Sequence, residues 1–479
     1  MAARTGSEFL KGLHDEREVW LENERVSDVT EHPAFVGAAH ALAAIFDLQH
    51  EAADVCLMPD PETGEPVNVS HMIPRSRQDL ERRHACLERI AEYSVGLMGR
   101  TPDYMNVTFA GFAGRDDEWS RAGNEQGAAN LVAFQKRLAR EDVSLTHTII
   151  HPTVDKSQSD VRAAGGEVAL HKVGETEHGI VVRGARVLST LAPFADELAV
   201  YPAIPLPEDA RAYALSFSIP MRTPGLKFLC RDSFSRPVNL FDHPLSSRFD
   251  EQDAFVIFDD VEIPRELLFM DGQVEIYNSV MATGWFPNIC QQTMIRAQTK
   301  LEFAWALATR MSEVIGDRRT STHEMLGEIW SYAELTRAAL HSAEQQAYDY
   351  GNGVWFPHNG PTLALRTTLP RWFPRVNEII RLLGSHNLLA APTRAQLDAA
   401  GLRPLVEKYL QGAEGTRAED RIRVFRLAWD FAGSGLGSRN EQYERFYLGS
   451  GGRNLQIAQL TAPRQRAERL LARFLEEKV

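Results

Sequence analysis

The sequence predicts an α+β protein of several domains, in which an N-terminal helical domain and a C-terminal helical bundle flank a central antiparallel β-barrel. The chain has 479 residues, which is more than one hydrophobic core usually organises, so two or three domains are expected. The spacing of apolar residues is helical at both ends of the chain and changes to short β-rich runs between them. We place the domains at residues 1–142, 143–270 and 271–479.

The N-terminal domain contains a clear amphipathic helix, predicted over residues 76–98. Ser76 is a suitable N-cap, and Asp79 three residues later is close to the second half of a capping box. Apolar side chains then recur at helical spacing, which gives the helix one buried and one charged face.

The middle domain is predicted from short runs of β-forming residues that are separated by glycine and proline. The runs span residues 168–173, 180–187, 198–204, 213–219, 226–230 and 254–258. Short strands at this spacing are typical of an antiparallel sandwich or barrel rather than of a parallel sheet with crossover helices.

The C-terminal domain is helical again, with helices predicted at residues 293–315, 324–349, 376–383 and 418–431. The first of them carries the wide apolar stripe of a bundle helix. Helices, then a β-domain, then a bundle is the order of the acyl-CoA dehydrogenase type of fold. That similarity concerns architecture, and function must come from the sites.

Composition excludes several classes of partner. The chain has 65 acidic and 52 basic side chains, a net charge of −13, whereas nucleic acids and anionic membranes attract basic surfaces. The sequence has no run of about 18 apolar residues that would cross a membrane, and its N-terminus lacks the apolar core of a signal peptide. Dispersed cysteines indicate reduced thiols in a cytoplasmic protein. They are Cys56, Cys86, Cys230 and Cys290.

Common catalytic motifs are missing from the sequence. The glycine-rich segment 433–437 follows a helical pattern rather than a strand, so it is predicted to be a turn that ends a helix and not a dinucleotide-binding fingerprint. No Walker A, nucleophile-elbow or HExxH motif occurs. His147 and His151 are four residues apart, but Pro152 follows and no carboxylate stands near them, so no metal site is expected.

A tight corner is predicted around Arg100. Gly99 suits the position after a helix C-terminus, Thr101 suits an N-cap, and Pro102 suits the first helical position. A cation beside a helix N-terminus, with Tyr104 one turn into that helix, can hold an anion or a polarised oxygen. The alternative is structural, with Arg100 paired to a carboxylate and Tyr104 at the edge of the core.

His147 lies where the helical pattern gives way to strands, at a predicted domain junction. Ligand sites are favoured at such junctions, and a histidine there can be a general base with a pKa near neutrality. The alternative is a core histidine whose nitrogens are hydrogen-bonded.

Five blocks of sequence carry a more specific signal. They are GLMGRTPDYMN (96–106), THTIIHPTVDK (146–156), GIVVRGARVLSTLAPFADE (179–197), FDHPLSSRFDEQDAFVIFDDVEIPRE (241–266) and the paired stretches FRLAWDF and GSGLGSRNEQYERFYLG (425–449). In sequence and order they resemble the oxygenase component of 4-hydroxyphenylacetate 3-monooxygenases over nearly the whole chain. The resemblance implies the acyl-CoA dehydrogenase-like fold, usually as a homotetramer, and a separate NAD(P)H:flavin reductase as partner.

The resemblance also implies a reaction, the ortho-hydroxylation of a phenol to a catechol by FADH2 and O2 through a flavin C4a-hydroperoxide. The family residues around the flavin C4a and the phenol match Arg100, Tyr104 and His147. Phenols titrate near about 10, so His147 is the candidate acceptor of the phenolic proton, while Arg100 and Tyr104 hold the phenolic oxygen. Water must be excluded, because the hydroperoxide otherwise decays to H2O2.

The family's flavin-binding pattern carries over to the segment after the histidine, a threonine of a middle-domain strand and a C-terminal glycine turn. The matching residues, which the resemblance implies as FAD-binding, are His147, Ile149, Ile150, Thr153, Asp155, Lys156, Thr190, Leu448, Gly449, Ser450 and Gly451.

Relatives that act on hydroxyphenylacetate differ from this chain around the substrate. They have a polar residue and Asn-Pro at positions 150–152, and Gln and Arg near Thr153 and Lys156. A serine that helps to hold the substrate carboxylate matches Ala203, beside Ile204, and the loop that follows also differs. These differences predict a phenol whose acid is absent or carrier-bound, such as a tyrosyl group of antibiotic biosynthesis. Chlorophenols and 4-hydroxyphenylacetate are the alternatives.

Three other interpretations fit less well. The 4-hydroxybutyryl-CoA dehydratases share the fold but need an iron–sulfur cluster, and the positions of its first two cysteines hold Arg100 and Tyr104 here. An acyl-CoA dehydrogenase needs a catalytic carboxylate, which the blocks above do not match. A helical scaffold without catalysis would leave the arginine and the histidine at the junction unexplained.

Overall fold

The computed structural model describes residues 3–235 and 239–475. Up to residue 142 its elements are α1 (Gly6–Gly12), β1 (Glu18–Leu21), β2 (Glu24–Arg25), α2 (Val36–Glu51), α3 (Ala53–Cys56), β3 (Leu57–Pro59), β4 (Pro66–Asn68), α4 (Arg77–Tyr93), α5 (Pro102–Gly114), α6 (Asp116–Trp119) and α7 (Glu125–Glu141). The next stretch contains β5 (Leu145–Thr148), β6 (His171–Glu175), β7 (Gly179–Thr190), β8 (Glu197–Val200), β9 (Leu215–Pro220), β10 (Leu226–Cys230), β11 (Asp253–Pro264) and β12 (Leu268–Asp271).

The last stretch is helical apart from one short hairpin. It contains α8 (Val274–Ser279), α9 (Trp285–Ile315), α10 (Thr320–Gln345), β13 (Tyr348–Asp349), β14 (Trp355–Phe356), α11 (Asn359–Gly384), α12 (His386–Leu389), α13 (Arg394–Asp398), α14 (Arg403–Tyr409), α15 (Ala418–Ala432), α16 (Gly435–Phe446), α17 (Gly451–Thr461) and α18 (Gln465–Leu475). The predicted fold class is confirmed, while the domain boundaries at 142/143 and 270/271 stay predictions. In the part of the chain that the structure describes, no helix is long and apolar enough to cross a membrane.

The strands of the middle stretch form two sheets, one of which also includes β1 and β2 from the N-terminal stretch. The strand orders are β2-β1-β10-β11-β7-β6 and β12-β9-β8-β5. Most neighbours are antiparallel, as predicted, but β1 runs parallel to β10 and β5 runs parallel to β8. The prediction of a purely antiparallel barrel is wrong for these two pairs. Each joins strands that are far apart in sequence, and such pairs are not limited to the antiparallel geometry of a hairpin.

Helix α4 begins as predicted, because the Ser76 hydroxyl accepts the Asp79 N–H at 3.2 Å. It ends at Tyr93 and not at residue 98. Gly96 follows with a φ of +70°, and a Cβ atom there would lie 2.3 Å from the carbonyl oxygen of Arg296 on α9. The chain therefore turns tightly against α9 before α5 begins, which only glycine permits at this position.

Helix α11 is much longer than predicted, because it continues through Pro370 and Pro374. Proline removes a helical hydrogen bond, so the sequence alone favours a break there. Contacts with α9, α10 and α16 hold the helix in place despite the missing bonds. The turn predicted at 433–437 ends a helix as expected but is limited to Gly433 and Ser434. Helix α15 ends at Ala432, and α16 already begins at Gly435, where the Ser434 hydroxyl accepts the Gly437 N–H at 3.1 Å.

A buried ion cluster joins α9 to α16. Arg296 donates two hydrogen bonds to the Glu444 carboxylate, at 2.8 and 2.9 Å, and the Lys300 ammonium lies 3.0 Å from the same carboxylate. All three residues are buried. Burial alone would favour the protonated acid, but the two cations lower the pKa of Glu444 to about 2 from its usual value of 4.5.

Replacing Glu444 should therefore destabilise the bundle strongly. Glu444→Gln leaves two buried cations without a counter-charge, which costs about 3–5 kcal/mol when one partner of a buried pair is lost. We expect a clearly lower urea midpoint for unfolding at pH 7, with much less difference from the parent protein below pH 2, where Glu444 is itself protonated. The matched control is Glu92→Gln, which removes an exposed partner of Arg89 and should change the midpoint little. Equal midpoints for the two variants would contradict the role given to the cluster.

Candidate active site

The turn before α5 is held by one buried carboxylate. The backbone N–H groups of Gly99 and Arg100 both donate to Glu251 Oε1, at 2.6 and 2.8 Å. The other oxygen, Oε2, accepts a hydrogen bond from Arg439 Nη1 of α16 at 2.8 Å. The position of Arg100 beside the start of α5 is thus fixed through its backbone, and its side chain is left free of that task.

Glycine stands at position 99 for a different reason from the one predicted. It does not end a helix, because α4 stops at Tyr93. A Cβ atom at residue 99 would instead lie 2.2 Å from the hydroxyl oxygen of Tyr443. Glycine is needed here because an aromatic ring of α16 approaches the backbone of the turn.

The Arg100 guanidinium lies among aromatic rings. Its Cζ is 3.9 Å from the ring centroid of Tyr104 and 4.4 Å from that of Tyr447, distances at which cation–π attraction is favourable. Nη1 is buried without a hydrogen-bond partner, and Arg100 forms no salt bridge within residues 3–235 and 239–475. The structural alternative, in which Arg100 pairs with a carboxylate, is therefore wrong. A permanently charged group in this position favours an anionic or polarised ligand.

His147 points into the same space from β5 and is 8% exposed. Its ring centroid is 5.5 Å from that of Tyr104 and 5.3 Å from that of Tyr201. Nδ1 lies 3.0 Å from the sulfur of Met105. A thioether has no hydrogen to donate, so a hydrogen bond here needs the proton on Nδ1 and leaves Nε2 as an acceptor.

The charge state of His147 differs from the expectation of a pKa near neutrality. Burial and the positive charge of Arg100 lower the pKa of His147 well below its usual range. The imidazole is therefore neutral at pH 7. A neutral ring with a free acceptor nitrogen can take a hydrogen bond from a ligand hydroxyl, and it does so beside a fixed positive charge.

Four aromatic residues complete the wall of this space, and the sequence analysis did not select them. They are Tyr201, Trp285, Tyr443 and Tyr447. The hydroxyls of Tyr201 and Tyr443 and the indole N–H of Trp285 are buried without a partner, whereas the Tyr447 hydroxyl lies 2.8 Å from Thr293 Oγ1. Burial raises the pKa of Tyr104 and of Tyr201, which keeps both phenols protonated.

The sequence contains a signal for two of these tyrosines, which is their helical spacing. Tyr443 and Tyr447 are four residues apart on a helical segment, so they share one face. Tyr201 follows β8 and reaches His147 because β8 runs parallel to β5, with His147 opposite Ala199. That pairing has no local sequence signal.

The predicted flavin segments converge on this site to different degrees. Thr190 ends β7, and its hydroxyl donates to Asp253 at 2.8 Å. Asp253 in turn accepts from Arg439 at 2.7 Å, so Thr190 belongs to the network that holds the Arg100 turn. Leu448 directly follows Tyr447, and its carbonyl accepts from Arg366 Nε at 2.8 Å.

The turn after Leu448 leads into α17. Gly449 has a φ of +90°, which favours glycine. Ser450 is exposed and caps α17, with its hydroxyl 3.4 Å from the Arg453 nitrogen, and Gly451 is the first residue of that helix. This turn lies at the outer end of the aromatic wall.

The segment after His147 passes quickly from the site to the surface. Ile149 is half-buried, whereas Ile150, Thr153 and Lys156 are exposed. Asp155 accepts hydrogen bonds from the N–H and the hydroxyl of Ser157 at 2.9 and 2.8 Å, so its carboxylate is used within a local turn. Ile149 packs against the hydrophobic core, and the chain turns outward from Ile150 on, apart from the buried His151 and Pro152.

Ala203 and Ile204, predicted to contact the substrate, lie in the loop between β8 and β9. Ala203 is half-buried and Ile204 is exposed. They follow Tyr201 closely in sequence but make no hydrogen bond or aromatic contact with Arg100, Tyr104 or His147. Their contact with substrate stays a prediction.

The residues present suit a flat heteroaromatic ring. The ring of Trp285 lies 6.3 Å from that of Tyr201 and the ring of Tyr447 lies 6.4 Å from that of Tyr104, while the Tyr201 hydroxyl and the Trp285 indole N–H are buried without a partner. A flavin ring has the same combination of an apolar face and a polar edge. The donor set therefore fits the expected FAD.

Comparison with known proteins gives a consistent result. Residues 5–270 match the family described as 4-hydroxyphenylacetate 3-hydroxylase N terminal, and residues 277–476 match its C-terminal counterpart. The 4-hydroxyphenylacetate 3-monooxygenase oxygenase component of Thermus thermophilus is 36% identical over 93% of this chain and 92% of that protein.

Two further similarities concern ligands of the relatives. A Streptomyces globisporus monooxygenase that acts on a (3S)-3-amino-3-(3-chloro-4-hydroxyphenyl)propanoyl group bound to a peptidyl-carrier protein is 32% identical over 93% of this chain and 85% of that protein. A crystal structure of the oxygenase component of 4-hydroxyphenylacetate 3-monooxygenase, complexed with FAD and 4-hydroxyphenylacetate, matches with a TM-score of 0.94 at 35% identity over 99% of this chain and 98% of that chain. On its sequence, fold and site, this chain belongs to the 4-hydroxyphenylacetate 3-hydroxylase family.

Proposed function

We propose that this chain hydroxylates a phenol ortho to its hydroxyl group and gives a catechol, with reduced FAD and O2 as co-substrates. As a member of its family, the chain is the oxygenase component of a two-component flavin-dependent aromatic monooxygenase. The observation that carries the proposal is the arrangement of Arg100, Tyr104 and neutral His147 around one space. In that arrangement the arginine has no carboxylate partner in the described chain.

The residues activate the phenol through its proton. The phenolic O–H donates to Nε2 of His147, and the Arg100 charge stabilises the oxygen as negative charge develops on it. Arg100 disfavours an imidazolium and favours negative charge on the phenolic oxygen. The phenolic proton therefore stays in the hydrogen bond between that oxygen and Nε2 of His147 while electron density moves into the ring. The Tyr104 hydroxyl, protonated because of its raised pKa, donates a further hydrogen bond to the phenolic oxygen.

The flavin is held by the segments already described. Ile149 and Ile150, Thr190, and the turn 448–451 form its surroundings, with Thr153, Asp155 and Lys156 at the rim. When bound, reduced FAD together with O2 supplies the electrophilic oxygen that the ring carbon attacks. The aromatic wall of Tyr201, Trp285, Tyr443 and Tyr447 keeps water away from that oxygen.

The substrate class follows from the positions that differ from hydroxyphenylacetate relatives. Ala203 and Ile204 offer no hydroxyl to a carboxylate, which supports a phenol whose acid is absent or attached to a carrier protein. The carrier-protein substrate of the Streptomyces globisporus relative supports the same class. A (chloro)tyrosyl-type phenol of secondary metabolism is the proposed substrate. A relative that acts on 4-nitrophenol supports the second candidate, a simple substituted phenol such as a chlorophenol.

The proposal includes partners and a location. A separate NAD(P)H:flavin reductase supplies the reduced FAD, and the protein works in the cytoplasm as a homotetramer. Helix α18 exposes apolar side chains that other copies can cover, among them Leu470, Leu471 and Phe474. A groove of about 650 Å³ beside exposed Trp305 and Trp330 on α9 and α10 offers a second apolar surface.

Removal of the proton acceptor should separate flavin oxidation from hydroxylation. In His147→Gln we expect product formation to fall about 100-fold or more, the usual loss for a general base, while reduced flavin is consumed and H2O2 accumulates. A phenol panel is incubated with FAD, NADH and a flavin reductase, and catechol mass and H2O2 are measured. His171→Gln changes a buried histidine of β6 that bonds only to the Ala169 carbonyl and serves as the control. If His147→Gln forms catechol at the parental rate, His147 is not the proton acceptor.

The lowered pKa of His147 has a consequence for pH dependence. A histidine whose pKa lies well below 6.5 keeps its neutral form as the pH falls through that value. In 13C NMR of histidine-labelled protein, the His147 signal, assigned by its loss in His147→Gln, should not titrate between pH 5.5 and 8. Arg100→Met removes the second cause of the shift and should raise the midpoint. If the His147 signal of the parent protein titrates with a midpoint near 6.5, burial and Arg100 do not lower its pKa.

Glu251 is a positioning residue whose replacement should move Arg100. In Glu251→Gln the charge that Arg439 neutralises is lost, and the two backbone hydrogen bonds to the turn weaken. We expect kcat/KM for the phenol to fall about 100-fold, with a larger share of reduced flavin lost to H2O2. Glu262→Gln, an exposed change on β11, is the control. A lower melting temperature with an unchanged ratio of catechol formed to reduced flavin consumed would mean that Glu251 has only a structural role.

A further inference from the structure

A second buried cation lies close to His147, and the hydroxylation mechanism does not use it. Arg186 of β7 is 0% exposed. Its Nη1 donates to the carbonyl oxygen of Ile149 at 3.0 Å, and Ile149 is two residues beyond His147. Its Nε and Nη2 are buried without a hydrogen-bond partner.

Arg186 of β7 differs from Arg296 and Arg439, two buried cations of the helical bundle, in having no acid beside it. Arg296 is paired with Glu444, and Arg439 is paired with Glu251 and Asp253. Over residues 3–235 and 239–475, Arg186 forms no salt bridge. Burial lowers the pKa of its guanidinium, and the neighbour that opposes this effect is the Tyr277 hydroxyl rather than a carboxylate. A charge buried without a counter-charge is costly, which indicates that the protein gains something by keeping it there.

The side chains around Arg186 also have protons left to donate. His151 is 3% exposed, and neither of its ring nitrogens has a hydrogen-bond partner. Burial and the charge of Arg186 lower the pKa of His151 to about 2, so the ring is neutral and has one N–H to donate. The hydroxyl of Tyr277 on α8 is also buried, beside the Arg186 guanidinium, and its proton is left to donate. Three neighbouring side chains thus offer N–H and O–H donors and one positive charge.

We propose that Arg186, His151 and Tyr277 form a subsite that binds an anionic group of a ligand held in the hydroxylation site. This extends the proposed function: a flavin phosphate is compatible with the acid-free or carrier-bound phenol proposed above, whereas a substrate carboxylate would replace that substrate class. Ile149, whose carbonyl oxygen Arg186 holds, is two residues from His147 along the chain, which places the subsite beside the hydroxylation site.

Arg186, His151 and Tyr277 are closed to solvent in this structure, so an anion enters only with a rearrangement of the segment that follows His151. His151 begins the segment that reaches the surface, and Val154 three residues later is 50% exposed. A carboxylate or a phosphate bound here would accept hydrogen bonds from the guanidinium, the imidazole N–H and the tyrosine hydroxyl together, and would neutralise the buried charge.

The test measures binding with matched charged and uncharged probes on the full chain. Anaerobic calorimetry compares reduced FAD and reduced FMN with reduced riboflavin, which differs from FMN only in lacking the phosphate. It also compares 4-hydroxyphenylacetate with 4-hydroxyphenylacetamide, which lacks the negative charge. In Arg186→Met we expect at least tenfold weaker binding of one anionic probe and less than a twofold change for its uncharged partner. Arg186→Lys should retain most of the affinity, and Tyr277→Phe should lose a few-fold. If Arg186→Met binds FAD more weakly, the bound anion is a flavin phosphate. If it binds 4-hydroxyphenylacetate more weakly, the bound anion is a substrate carboxylate.

Equal losses for charged and uncharged probes, or no loss, would overturn the subsite. If Arg186→Met does not fold, the parent protein decides the question. Inorganic pyrophosphate should then compete with reduced FAD, or phenylacetate with 4-hydroxyphenylacetate, and competition by neither overturns the proposal. Because binding is measured without turnover, catechol formation by the parent protein tests the hydroxylase function separately.

Discussion

The site depends on the buried carboxylate of Glu251. One of its oxygens holds the backbone N–H groups of the turn that carries Arg100, and the other binds Arg439 of α16. Arg439 also binds Asp253, which accepts the hydroxyl of Thr190. Four separate stretches of sequence are therefore joined by charge-assisted hydrogen bonds in a water-poor interior, where such bonds are strong. Arg100, which we propose to hold the phenolic oxygen, helix α5 and the strand β7 expected at the flavin therefore share one support.

Buried arginines that pair with carboxylates hold the fold together, whereas a buried arginine without such a partner can act on a ligand. Arg296 and Arg439 lie in the interior with carboxylates at hydrogen-bond distance, and they hold helices together. Arg100 instead faces aromatic rings and a neutral histidine. Its charge is not cancelled by the protein, so it acts on whatever occupies the site. A chain with a net charge of −13 thus keeps a small region of positive potential that composition cannot reveal.

The sequence predicts much of this arrangement, and its failures have identifiable physical causes. Helix α4 starts at Ser76 and α5 at Pro102 because capping and proline effects are local. Family resemblance identifies Arg100, Tyr104 and His147, which the structure brings together. The parallel pairing of β5 with β8 brings Tyr201 to the site and depends on contacts between distant residues, for which one sequence has no signal. Gly99 is a similar case, since its small size answers to Tyr443, more than 340 positions away.

The loop between β8 and β9 is fastened at few points. Leu206 donates its N–H to the side chain of Asn278 at 2.7 Å and accepts from the same amide at 2.9 Å, while Tyr201 anchors the start of the loop inside the site. The positions between and after these anchors are largely exposed. Residues 203–205 and 207–209 can therefore be exchanged together without disturbing the buried network of Glu251 and Arg439.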